Sequence, residues 1–162
     1  MNKQHRLNLL KLADYIEHQV SDEEFSMEHY WSDCGTVGCL LGHAVFAGIA
    51  PGEEFLSSTY TNRDSDSVPL EEKGFAFKWM RLGESLFGLG LGSNKKETAL
   101  WMFLFSWNWA RLRMRKSITQ REEAIKRLHL VAYTTETIDE NMSLRGTYLL
   151  LANSNKEPYK FD

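Results

Sequence analysis

Apolar residues recur along residues 3–20 with the period of a helix. Leu9, Leu12, Ala13, Ile16 and Val20 fall on one stripe about 100° wide, and Lys11, Asp14 and His18 fall away from it. The pattern predicts an amphipathic helix over 3–20. Ser21-Asp22-Glu23-Glu24 then has the form of a capping box for a short further turn. Phe25, Met27, Tyr30 and Trp31 bring large apolar groups in behind it and read as core packing.

The next pattern is apolar nearly all round. Val37, Leu40, Leu41, Ala44, Ala47 and Gly48 share one broad face, while Cys39, His43 and Phe46 share the other. Only His43 is polar, and a helix of this kind belongs inside a core. The expected helix spans 37–49. Thr36 is its expected N-cap, after a turn at Gly35, and Pro51-Gly52 stops it. Gly38, Gly42 and Gly48 each cost roughly 1 kcal/mol against alanine in a helix, which suggests close backbone packing.

Residues 50–74 have no period and read as a long polar loop, above all 57–67. Asp64, Asp66 and Glu71 lie in it without the Gly and closing Glu of a calcium loop. Phe75, Trp79, Leu82 and Leu86 sit at helical spacing, which Gly83 weakens. Gly88-Leu89-Gly90-Leu91-Gly92 lacks the Gly-Lys-Ser/Thr ending of a phosphate loop and reads as a helix terminus and turn. A further helix starts near Ser93-Asn94 and carries Ala99, Leu100, Phe103, Leu104 and Trp107. Thr119-Gln120-Arg121-Glu122 is a capping box for a last helix to about Tyr133, with Ala124, Ile125, Leu128, Val131 and Ala132 on its core face. Beyond Thr134 the pattern fades, and 153–162 read as a flexible tail. No repeat and no sustained strand alternation is present. The expected fold is all-α: one irregular helical bundle over 1–162 around a buried central helix at about 37–49.

Composition sharpens this picture in one respect. With 43% hydrophobic residues, 25% charged and a net charge of −3, the chain has the balance of a globular domain. The charge is unevenly spread. Residues 1–92 hold 7 basic and 14 acidic groups, and residues 93–162 hold 12 basic and 8 acidic. The start of the chain lacks a signal-peptide pattern and no apolar run is long enough for a membrane span. A cytoplasmic protein with reduced cysteines is expected.

Three kinds of chemistry can be weighed on these residues. His29, Cys34, Cys39 and His43 have the number and types of a structural zinc set, with Cys39 and His43 one helical turn apart. A buried cysteine and a hydrogen-bonded core histidine explain Cys39 and His43 as well, so no metal or other cofactor is assigned. Cys34 precedes a helix N-terminus, which favours a thiolate, but Asp33 beside it opposes one. No catalytic residue is assigned. Cys34-Gly35-Thr36 is similar to the Cys-Gly-Ser segment ahead of the nucleophile in papain-like proteases. The second cysteine follows at a different spacing, and Leu40 stands where that family has an aromatic residue.

The third kind is binding. Trp107, Trp109, Arg111, Arg113 and Arg115 interleave aromatic and guanidinium groups, and residues 111–127 hold seven basic and two acidic side chains. Trp and Arg are frequent interface anchors, and Arg pairs with carboxylate or phosphate. These five residues are the candidate binding site. Nucleic acid is not the expected partner, given the net charge and the lack of a recognised motif.

The Cys34-Gly35-Thr36-Val37-Gly38-Cys39-Leu40-Leu41-Gly42 segment, with Phe25-Ser26-Met27 before it and Phe103-Leu104-Phe105 after it, resembles small uncharacterised proteins of bacteria and their tailed phages. Those carry a Cys-Gly-Thr-x-x-Cys-x-x-Gly segment ahead of a Phe-Leu-Phe segment and a final amphipathic helix. The resemblance covers roughly 25–130 and implies a phage or mobile-element accessory protein. The expected function is binding of a host protein or a small anionic ligand in the host cytoplasm. A cysteine-dependent enzyme using Cys34 and a zinc-stabilised module are the alternatives. The oligomeric state stays open.

Overall fold

The computed structural model describes residues 1–27, 39–50, 82–90, 95–105, 119–134 and 146. Its elements in chain order are α1 (Lys3–Gln19), α2 (Leu40–Phe46), a helical stretch α3 over 82–87, α4 (Lys95–Phe105) and α5 (Gln120–Thr134). The described residues contain no strand, and the fold is all-α.

α1 forms where the apolar period places it. Asn2 caps it by accepting from the His5 N–H at 2.7 Å, and Leu9, Leu12, Ala13 and Ile16 are fully buried. α5 begins with the reciprocal contacts of a capping box. Thr119 Oγ1 accepts from the Glu122 N–H at 3.2 Å, and the Glu122 carboxylate accepts from the Thr119 N–H at 3.1 Å. The two helices run antiparallel. Arg121, at the start of α5, reaches the last carbonyls of α1, and Arg6, in the first turns of α1, covers the ring of Tyr133 at the end of α5. Their facing stripes make the main seam of the core. Leu100, Phe103 and Leu104 of α4 and Phe87 extend it.

α2 is shorter than the 37–49 that its apolar pattern predicts. Cys39 is its N-cap, with extended backbone at φ −85° and ψ −177°, so the helix starts at Leu40. Thr36 and Val37 lie outside the described residues. At the other end Gly48 is not a helical residue. It adopts φ +62°, its N–H donates to the Val45 carbonyl, and the Ile49 N–H donates back to Ala44. This is a Schellman ending, for which a glycine is best suited. Lys11 of α1 donates to the Gly48 carbonyl at 3.2 Å. Buried positions encircle the helix from Leu40 to Ala44, as its composition requires, while Phe46 is exposed.

Gly88 ends α3 in the same left-handed region, at φ +65°, with its N–H on the Glu84 carbonyl at 2.8 Å. A Cβ there would collide with the His5 ring at Nδ1, so the position needs both the conformation and the space of glycine. Asn8 of α1 donates to the Leu86 carbonyl at 2.7 Å and ties this ending to the bundle.

No helix among the described residues is long and apolar enough to cross a membrane.

Candidate functional site

Residues 119–121 open α5 and lie within the basic stretch 111–127. Each makes a contact far along the chain. Thr119 Oγ1 donates to Asp22 at 3.0 Å, and Arg121 Nε donates to the same carboxylate oxygen at 2.8 Å. The Gln120 side-chain carbonyl accepts from the Met27 N–H at 3.0 Å. Arg121 Nη1 also donates to the carbonyls of Ile16 and Glu17, where a cation complements the end of α1. The Arg121 hydrogen bond, with help from Thr119, holds the Asp22 carboxyl below its usual range. The predicted box at Ser21 forms in part. The Ser21 N–H donates to the Glu24 carboxylate at 2.8 Å, but a turn over 22–24 follows instead of a helix.

The same 21–27 segment reaches α2. His43, buried in α2, donates through Nε2 to the Glu24 carbonyl at 3.1 Å. That carbonyl can only accept, so Nε2 carries a proton. The ring stacks on Phe25 at 5.8 Å and 11°, and Tyr15 of α1 lies tilted beside it at 6.3 Å. Burial, then the Glu24 charge, raises the Tyr15 pKa. Burial pushes the Cys39 thiol up to about 11, and the first-turn N–H groups of Gly42 and Leu41 offset this only in part. Cys39 is therefore a neutral thiol at ordinary pH, packed as a small apolar side chain. His43 is the hydrogen-bonded core histidine of the simpler reading. Among the described residues no three His, Cys, Asp or Glu side chains come together as a metal-binding group. His29 and Cys34 lie outside them.

The five candidate binding residues, Trp107, Trp109, Arg111, Arg113 and Arg115, also lie outside the described residues. The structure nevertheless redraws the boundary of the basic segment. Two of its seven cations are committed to the fold: Arg121 to Asp22, and Arg127 to Glu123 at 2.8 Å. Arg127 is buried. It donates through Nη1 to the Phe103 carbonyl at 2.8 Å, and its guanidinium lies 4.2 Å from the Phe103 ring centroid. Arg121 and Arg127 therefore drop out of the cationic surface expected over 111–127, while Lys126 is partly buried and Arg111, Arg113, Arg115 and Lys116 lie outside the described residues.

Sequence reasoning missed the roles of Asp22, Gln120 and Arg127. For Arg127 a signal was available: Glu123 stands four residues earlier, the spacing of a helical ion pair. Asp22 and Gln120 carry no local signal, because their partners lie more than ninety positions away.

Comparison with protein-family models, with curated proteins and with solved structures finds no match to the chain.

Proposed function

We propose that this chain is an accessory protein of a phage or mobile element, acting in the host cytoplasm by binding a host protein or a small anionic ligand. The binding group is Trp107, Trp109, Arg111, Arg113 and Arg115. The origin rests on the resemblance carried by Cys34 to Gly42. The binding reading rests chiefly on the fate of the other cations: Arg121 and Arg127 serve the fold. Of the five that remain, Lys126 lies within α5, and Arg111, Arg113, Arg115 and Lys116 form the cationic run next in sequence to the two tryptophans.

Successive positions 111, 113 and 115 place three guanidinium groups on one side if that chain is extended, and 111 and 115 share a face if it is helical. Either arrangement suits a ligand with several negative charges, whether carboxylates on an acidic protein patch or phosphates on a small molecule.

The test compares the wild-type chain with the double variant Arg111→Glu, Arg115→Glu. Fluorescein-labelled polyglutamate and polyphosphate serve as probes in parallel, and thermal midpoints are recorded alongside. At least a tenfold weakening, about 1.4 kcal/mol, is expected for one probe at an unchanged midpoint. Which probe responds separates the protein ligand from the phosphate ligand. Equal affinity in a folded double variant overturns the assignment.

A further inference from the structure

The His5 ring joins two helix endings. It stands in the first turn of α1 and lies where a Cβ of residue 88 would be, so it packs directly against the glycine that ends α3. Asn2 fixes which ring nitrogen is bare. Its Oδ1 accepts from the His5 N–H at 2.7 Å, which orients the amide and turns Nδ2 to His5 Nε2 at 3.3 Å. An amide nitrogen only donates, so Nε2 accepts, and the neutral ring carries its proton on Nδ1, the ring atom on the Gly88 side. A further proton on Nε2 sets two donors face to face. Turning the Asn2 amide to offer Oδ1 instead takes the cap away from the His5 N–H. Ring and cap cannot both keep their places once the ring is charged.

We propose that His5 is an acid-sensitive latch: protonation at Nε2 drives the ring off Gly88 and loosens the Gly88 ending of α3 from α1, while the α1–α5 seam stays closed. Asn8 still holds the Leu86 carbonyl, so the opening is local. The surroundings of the ring favour its neutral, latched form. Burial and then the Met1 amine lower its pKa, and Glu97 of α4 opposes them; among the described residues these are the charged groups acting on it. The positive end of α1 acts in the same direction as the amine. A histidine with a lowered folded value holds its contact above pH 6.5 and gives it up as pH falls through that lowered value.

Two measurements on the full chain test the latch. Nitrogen-15 NMR of the His5 ring at about pH 7.5 should show Nε2 bare and Nδ1 protonated; the reverse tautomer overturns the proposal. Hydrogen exchange of the Gly88 amide, which is bonded to the Glu84 carbonyl, is then compared between about pH 7.5 and about pH 5 after correction for the intrinsic rate. Protection should fall about five- to thirtyfold in wild type, the upper figure being the limit for a released ring that titrates at 6.5. It should not change in His5→Gln, which takes up no proton. In Asn2→Asp the carboxylate caps α1 and also accepts from a charged ring, so protection should persist at about pH 5. The Leu128 and Val131 amides of α5 should lose far less than Gly88 in wild type. No loss at Gly88, an equal loss across α5, or the same loss in His5→Gln overturns the latch. If glutamine fails to seat against Gly88, Asn2→Asp decides: a loss there equal to that of wild type overturns it.

Discussion

Arg127 lies over the ring of Phe103, 4.2 Å from its centroid, and donates to the carbonyl of that same residue at 2.8 Å. One side chain thus ties α5 to α4 by packing and by a charge-assisted hydrogen bond, while Glu123 balances its charge from one turn earlier. The Arg127 side chain is only 4% exposed, and that of Glu123 is 17% exposed.

Removing the guanidinium takes one donor from a shielded carboxylate and one from the Phe103 carbonyl. Arg127→Met should therefore destabilise the fold by about 3 kcal/mol. Arg127→Lys should recover only part of this, because an ammonium cannot reproduce the planar fork and the ring contact. Arg127→Met with Glu123→Leu should be less harmful than Arg127→Met alone, since no buried charge remains. Urea midpoints at constant slope measure all three. A midpoint for Arg127→Met within error of wild type would mean that water replaces the pair without loss.

The two left-handed glycines should respond differently to alanine. At Gly48 the cost is backbone strain, about 1–2 kcal/mol, and among the described residues only the Lys11 ammonium is near the added carbon. At Gly88 the same strain is joined by a clash with the His5 ring. Gly88→Ala should be the more destabilising, and His5→Ala should relieve part of the damage in a double-mutant cycle. Additive effects at 5 and 88 would show that the ring moves aside freely.

Stability should decline at both ends of the pH range for identifiable reasons. The Cys39 thiol is raised from 9.0 to about 11 by burial, so the fold holds the neutral form. Its contribution is complete below pH 9.0 and is lost as pH rises through about 11. The raised Tyr15 acts with the same sign. Burial lowers His5 and His129 below 6.5, opposed in each by a nearby glutamate, Glu97 and Glu17. Their contribution is complete above pH 6.5 and is lost as pH falls through their lowered values. Thermal midpoints against pH should show a shallower alkaline limb in Cys39→Ala and a shallower acid limb in His129→Gln. Iodoacetamide at pH 8 should leave Cys39 unmodified in the folded chain and modify it in urea. Rapid labelling of folded Cys39 would contradict its burial.

The parts of the fold written in local pattern were legible in the sequence. α1 follows from its apolar stripe, and α5 from the stripe together with the Thr119–Glu122 box. The all-α class follows from the absence of alternation. The apolar pattern starts α2 too early, because the run 37–49 is apolar throughout and does not mark where its first helical turn begins. Period alone cannot tell a C′ glycine from a helical one, so it places Gly48 inside the helix. A basic residue in a basic run looks solvated until its partner on α4 is known, and Arg127 is such a residue. Asp22 and Gln120 work through contacts that no local window contains. The candidate binding residues 107–115 rest on residue chemistry, and the structure bears on them only through Arg121 and Arg127 at the edge of the segment.

The proposal that the arginines at 111, 113 and 115 receive a ligand of several negative charges is tested most directly by the salt dependence of association. Stopped-flow association of labelled polyglutamate or polyphosphate with the wild-type chain should slow at least tenfold between about 20 mM and about 300 mM NaCl, as the screening length shortens. Arg111→Glu, Arg115→Glu should bind slowly at every salt concentration. An association rate for wild type that ignores salt and matches the double variant would contradict the claim.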